Sequence, residues 1–428
     1  MIKKIVIAIV CFAAIGANAQ DGTVSPYSYF GIGDLRAATT IDNQMMGGLG
    51  MYADSIHVNL QNPAAYGKLR LTAYSAGISY QQLSLASASV TESNRIVNLD
   101  YVALGFNLGK GMGVGFGIMP YTSVGYNIVS ESIANNTDGT TSAVSNQYSG
   151  TGGLNKVYLS LGYEITKDLS LGVTANFNFG TIDALRTQII EDVQFGTLDN
   201  RTSRINGMDF NYALNYTPTL KDKFKLYSSV RINTQANLST RNTQEIGSFS
   251  RASGANIEII DVNLEANGLK ETGLKIPTRT TLGLGLGEDK KWFLGAEYSF
   301  QDLSSFSNDF INVDNLSYQE ANTIAVGGFF IPDYTSFESY LKRVTYRAGV
   351  RMENTGMVVN NTEINNFGIT FGVGLPLASG AGGFSNINLG FEIGKRGTTE
   401  MMLIEENYFK INIGLSLNDR WFLKRKIN

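Results

Sequence analysis

Tyr408-Phe409-Lys410-Ile411-Asn412-Ile413-Gly414-Leu415-Ser416-Leu417 puts Phe409, Ile411, Ile413, Leu415 and Leu417 on one face and Lys410, Asn412, Gly414 and Ser416 on the other. A period of two is that of a β-strand, whose side chains point alternately to opposite faces of a sheet. The same division recurs with Val157, Leu159, Leu161, Tyr163 and Ile165 opposite Lys156, Tyr158, Ser160, Gly162 and Glu164. It recurs again with Leu169, Leu171, Val173, Ala175, Phe177 and Phe179 opposite Ser170, Gly172, Thr174, Asn176 and Asn178. Each segment is about ten residues, the length a tilted strand needs to cross a bilayer, whereas strands of soluble sheets are usually about five or six.

About fourteen such segments start near Leu69, Asn98, Gly111, Gly153, Leu169, Ile205, Phe224, Thr278, Trp292, Asn322, Thr345, Asn365, Ser385 and Tyr408. An even number suits a closed antiparallel barrel. Short links at 109–110, 166–168, 217–223, 287–291 and 377–384 alternate with longer ones at 122–152, 180–204, 234–277, 301–321, 352–364 and 395–407. Outer-membrane barrels have short periplasmic turns and longer outer loops, so both termini are expected in the periplasm. The link 331–342 is long for a turn and rich in aromatics, and is expected to form a small periplasmic helix or a docking element. A soluble β-sandwich would also alternate, but strand length and loop alternation speak against it. The fold class is all-β, a transmembrane antiparallel β-barrel of about fourteen strands.

Composition agrees. Of 428 residues only 17% are charged, against roughly 25% in an ordinary soluble domain, while 47 are Gly, 21 Tyr and 23 Phe. A barrel shows only every second residue to lipid, so a mean hydropathy near zero is compatible with a membrane protein. The net charge of -3 offers no electrostatic case for binding nucleic acid. Lys3 and Lys4, the apolar run Ile5 to Ile15 and the small residues Ala17-Asn18-Ala19 form a secretory signal. Residues 1–19 are therefore expected to be removed and the protein to reach the cell outer membrane, surrounded by membrane lipid. Cys11 is apolar filler of that signal, so the mature chain carries no disulfide, thiol nucleophile or thiolate metal site. His57 is the only histidine, and no G-x-S-x-G, H-E-x-x-H or P-loop pattern accompanies it. No enzymatic activity, cofactor or metal is predicted.

The inward faces are rich in glycine, among them Gly115, Gly162, Gly172, Gly283, Gly295, Gly327, Gly349, Gly372 and Gly390, which leaves lumen volume to be filled. Residues 20–68 do not alternate, and carry Tyr27, Phe30, Ile32, Met45, Met46 and Met51 among glycines. They are expected to fold as a plug inside a barrel of residues 69–428. Arg343, Arg347 and Arg351 are assigned to the polar face of the eleventh strand, with Glu164, Glu297 and Glu392 contributed by others. These arginines could attract an anionic headgroup, but ion pairing that ties wall to plug is the favoured reading, since charges in a narrow lumen need partners. Pro120 closes Val114-Gly115-Phe116-Gly117-Ile118-Met119 in register with lipid-facing residues. A proline cannot donate to the ladder, so the wall is expected to kink or part there, or the strand to end.

Asn62-Pro63-Ala64, the preceding Gly47, Gly48 and Gly50, and a proline-marked third strand resemble the FadL-type outer-membrane transporters of long-chain fatty acids and other hydrophobic compounds. The resemblance implies that Asn62, Pro63 and Ala64 belong to a hatch in the lumen, and Pro120 with Tyr121 to a lateral exit for hydrophobic small molecules. Glu392-Ile393-Gly394-Lys395-Arg396-Gly397 and the basic tail Trp421-Phe422-Leu423-Lys424-Arg425-Lys426 are similar to a bacterial subgroup that includes the barrel working with the type IX secretion translocon. Two expectations follow. The first is passive transport of hydrophobic small molecules. The alternative is a plugged, non-transporting partner subunit of an outer-membrane secretion or assembly complex. A continuous tunnel to Pro120 would favour the former, and a filled lumen beneath a large outer surface the latter.

Overall fold

The computed structural model describes residues 22–135, 140–308, 310, 315–377 and 385–419. The predicted signal, with Cys11, and the tail from Trp421 to Lys426 lie outside the described residues. So does most of the link 377–384.

Fourteen wall strands follow one another. They are β1 (Thr72–Ala86), β2 (Thr91–Gly109), β3 (Met112–Pro120, resuming as Thr122–Asn135), β4 (Thr141–Glu164), β5 (Leu169–Ile190), β6 (Phe195–Tyr216) and β7 (Phe224–Asn233, resuming as Ala236–Ser250). The circuit continues through β8 (Glu271–Ile276 and Arg279–Glu288), β9 (Trp292–Asp302), β10 (Glu320–Phe330), β11 (Thr345–Val359), β12 (Thr362–Pro376), β13 (Asn386–Arg396) and β14 (Glu405–Asp419). Every neighbour in sequence is an antiparallel neighbour in space, and β14 pairs with β1 from Thr72↔Asp419 to Ala86↔Glu405, so the barrel is closed. Closure gives the strands of the lipid-facing belt ladder partners within the wall, which is what an open sheet could not provide in hydrocarbon, with one interruption at Pro120.

The period-two pattern is realised strand by strand. Ile413 is 42% exposed while its neighbour Asn412 is 0% exposed. Val157, Leu159, Leu161 and Tyr163 are likewise exposed, against buried Lys156, Tyr158 and Ser160. We expect Ile413→Arg to lower folding yield strongly, because a lipid-facing Arg near the midplane costs roughly 2–4 kcal/mol. Lys410→Arg, on the opposite face, should behave as wild type. Heat-modifiable gel mobility distinguishes the two, and equal yields would contradict this register.

Four of the links expected as long loops, 122–152, 180–204, 234–277 and 352–364, are largely strand, whereas 301–321 and 395–407 are mostly not. β3 and β4 run on to Asn135 and from Thr141, β5 and β6 to Ile190 and from Phe195, and β7 to Ser250. A further strand, Asn256–Asp261, turns back on β7 before β8 begins. The reason is physical: beyond the lipid both faces of a strand are wet, so the ladder persists while the apolar alternation fades. The result is a crown, in which β3 to β7 rise past the apolar belt. At the opposite rim the segment 331–342 contains only a four-residue helix, α2 (Tyr340–Arg343), with Phe337 98% exposed.

Residues 22–70 pack against inward-facing residues of the wall. They contain two 3-10 turns, Pro26–Tyr29 and Pro63–Lys68, a two-residue strand Asp34–Leu35 and a short helix α1 (Ile41–Gln44). Tyr27 packs with Met357, Val359, Ile364 and Leu403 on one side, and Ile32 with Val124, Leu154, Ile182 and Ile205 on the other. Lower down, Met46, Leu49 and Met51 meet Tyr227, Phe293 and Phe329, while Tyr66 and Leu69 meet Ala103 and Tyr158.

Candidate functional site: a filled lumen and a break in its wall

The inward glycines are where the N-terminal segment touches the wall. A Cβ at Gly162 or Gly172 would strike backbone atoms of Pro63, Ala64 or Gly67, and one at Gly113 or Gly115 would strike Tyr66. At Gly327 and Gly349 it would strike Met46 and Gly47, at Gly372 and Gly390 Met45, and at Gly295 Met51. The missing side chains thus let the backbone of the N-terminal segment approach the wall at Gly113, Gly162, Gly172, Gly327 and Gly349, and its Tyr66, Met45 and Met51 side chains at the others. Gly47 itself has φ +73, in the left-handed region that glycine adopts without strain.

Polar contacts repeat this arrangement. Asn62, wholly buried, accepts from Ala64 N at 3.2 Å and donates through Nδ2 to Gly50 O and Asn215 Oδ1, both at 3.0 Å. It therefore caps the Pro63–Lys68 turn, whose first position suits Pro63 because that amide needs no partner. Glu297 on β9 accepts from Gly50 N at 3.0 Å and Met51 N at 2.7 Å, and pairs with Arg231 of β7.

Of the three arginines, Arg347 pairs with Asp42 of α1 at 3.1 Å and donates to Asn388 Oδ1 at 3.0 Å. Arg351 pairs with Glu392 at 3.1 Å, and Gln44 donates to the other oxygen of that carboxylate at 3.0 Å. Arg343 is a correction: it ends α2, before β11 begins at Thr345, and stacks over the Tyr340 ring at 5.5 Å. Its four-residue spacing to Arg347 imitates one strand face, but the chain is helical there.

His57 sits in the plug with Nδ1 2.5 Å from Asp54 Oδ2 and Nε2 3.8 Å from Asp42 Oδ1. Burial opposes its charge, yet the carboxylates of Asp54 and Asp42 prevail and raise its pKa to about 9. Asp54 is correspondingly held down at about 2, the imidazolium outweighing the effect of burial. Among the described residues no group of three or more His, Cys, Asp or Glu side chains could hold a metal ion.

At Pro120 the wall parts. Pairing of β2 with β3 ends at Val102↔Ile118, while β3 stays joined to β4 through Pro120↔Asn155 and through Tyr121 N donating to Leu154 O at 2.7 Å. Because the Tyr121 amide faces β4, position 120 would direct its amide at β2, and proline has none. Beyond the break, Thr122 and Ser123 pair instead with Leu35 and Asp34, and Arg36 N donates to Tyr121 O at 2.9 Å. Asp34 is tied to Arg396 at 2.6 Å, and Leu35 is exposed. The N-terminal segment thus patches the edge that β2 abandons. Among the described residues Thr91–Tyr101 of β2 has no ladder partner on the β3 side.

The closed antiparallel barrel of fourteen strands matches the fold of FadL-type barrels. Three solved structures align over almost their whole length: the Ralstonia pickettii toluene transporter TbuX (TM-score 0.57, 13% identity, 89% of this chain and 98% of that one), a Pseudomonas aeruginosa FadL homologue (0.56, 11%, 91% and 100%) and the Pseudomonas putida toluene transporter TodX (0.55, 13%, 92% and 100%). At such identities the likeness is one of fold. No curated protein matches the sequence. The BamG family model matches residues 1–428, and the chain belongs to the BamG family.

Proposed function

We propose that this protein is a plugged, non-conducting barrel that serves as a partner subunit of a secretion or assembly complex in the outer membrane. The observation that carries the reading is the fit of Met45, Met46, Gly47, Pro63 and Tyr66 onto wall glycines, which leaves the lumen to the chain itself rather than to cargo. The tall crown, and Phe337 standing exposed at the opposite rim, supply surfaces for partners on both sides. No chemistry is part of this reading, since an imidazolium clamped between carboxylates is a poor general base. Extraction in a mild detergent should release the barrel in an assembly heavier than the 46.5 kDa chain, and the purified protein should be electrically silent in a planar bilayer. A lone monomer that conducts would overturn it.

The break at Pro120 favours a second reading, passive transport of hydrophobic small molecules such as long-chain fatty acids with lateral release between β2 and β3. The toluene transporters that share the fold support it. Restoring the amide with Pro120→Val should extend the β2–β3 ladder and, if molecules leave there, slow uptake of a fluorescent fatty acid by cells. Uptake no greater than in a strain lacking the protein removes the transport reading, and uptake indifferent to Pro120→Val removes the lateral exit alone.

A further inference from the structure

In the crown the wall is an open sheet. Pairing runs from the upper part of β3 through β4, β5, β6 and β7 to the strand Asn256–Asp261, which among the described residues pairs only with β7. All six of its residues are exposed, on both faces, and they include Ile257, Ile259 and Ile260 at 57%, 45% and 51%. Val262 N donates to Gln244 O at 2.9 Å. Alternation from that bond turns the amides of Ile260 and Glu258 toward β7, and those of Ile259 and Asp261 toward the free edge.

An exposed apolar edge is a template for another strand, and natural sheets usually blunt one with Lys or Pro. Here Asn256–Asp261 has neither, and its charges, Glu258 and Asp261, are acidic. Asp261 moreover stands directly opposite Glu245 of β7, a like-charged pair that weakens the free sheet. A second copy of this edge would bring the same acids together, whereas a basic strand would neutralise them. We propose that Asn256–Asp261 is a docking edge that takes an extended, basic segment of a second protein as an added strand. The proposal rests on the partner-subunit reading and names a surface for it.

The probe is a fluorescent peptide of ~10 residues alternating lysine and valine, titrated by anisotropy into the purified full-length barrel in detergent. A glutamate–valine counterpart should bind at least roughly tenfold more weakly, a difference of ~1.4 kcal/mol. Ile259→Pro removes a free-edge donor without touching a bond to β7 and should weaken the lysine–valine peptide by a similar factor, with heat-modifiable mobility unchanged. Should that variant misfold, a peptide N-methylated at alternate residues on its pairing edge must show the same loss with wild-type barrel. Absence of binding, equal binding of the acidic peptide, or indifference to the lost donors overturns the docking edge. Such a failure together with a heavy native assembly leaves the partner reading in place with its contact elsewhere, whereas a barrel extracted alone removes that reading itself.

Discussion

Gly349→Val is expected to drive the N-terminal segment off the wall and, on the plugged-barrel proposal, to open a conducting path through the lumen. A Cβ there would lie under 3.0 Å from Gly47 N and from the Met46 carbonyl carbon, both backbone atoms with no rotamer to relax. Overpacking a core with side chains on both sides costs ~1–3 kcal/mol; against a fixed backbone the cost should lie at or above the top of that range. Gly47 would also lose its bond to Thr370 Oγ1, now 3.1 Å. Single-channel recording should show openings absent from wild type, and limited proteolysis should cut within residues 22–70. Gly273→Ala, where nothing lies within 4 Å of the added carbon, is the matched control. A Gly349→Val barrel as quiet and protease-resistant as wild type would show that plug and wall are not in register as described.

Glu297→Ala should be the most destabilising single truncation in the lumen. It strips the buried Arg231 guanidinium of its counter-charge and leaves the amides of Gly50 and Met51 without an acceptor. Breaking a buried ion pair by removing one partner costs roughly 3–5 kcal/mol, and each stranded buried donor roughly 1–3 kcal/mol more where water cannot reach it. The midpoint of urea-induced loss of heat-modifiable mobility reads the effect. Arg231→Met combined with Glu297→Leu should recover much of the loss, since no charge is then orphaned. A single-variant loss below ~1 kcal/mol would mean that water already serves these groups.

What could be read from the chain and what could not divide along the boundary between lipid and water. Phe409 to Leu417 and Val157 to Ile165 announce their strands because lipid wets one face only. Thr141 to Leu154 continues the same ladder without a lipid-facing side, with Leu154 buried against Ile32, and its sequence, TSAVSNQYSGTGGL, keeps no period. The wall glycines were legible as space, but not the order in which Met45, Met51 and Tyr66 fill it, because those contacts join residues far apart in sequence. Glu297 was legible as an inward charge, whereas its partner Arg231 lies two wall strands away. Pro120 marked the break; the patch made by Asp34 and Leu35 left no trace, two residues being too few to show a period. Arg343 misled because its spacing fits a strand face as well as it fits one helical turn.

The position of the filling in the chain also constrains how the molecule is made. Residues 22–70 come before β1 in the chain, yet they are hydrogen-bonded to Glu297, Thr370 and Glu392 on strands made much later. Backbone of that segment lies against wall backbone at Gly162, Gly172, Gly327 and Gly349, on strands β4, β5, β10 and β11. The hydrogen bonds are complete only when β9, β12 and β13 stand in the wall, so residues 22–70 reach their final bonding partners only as the circuit of strands nears completion. A chain truncated before β13 should therefore lack the Gln44–Glu392 bond, and its N-terminal segment should be open to protease.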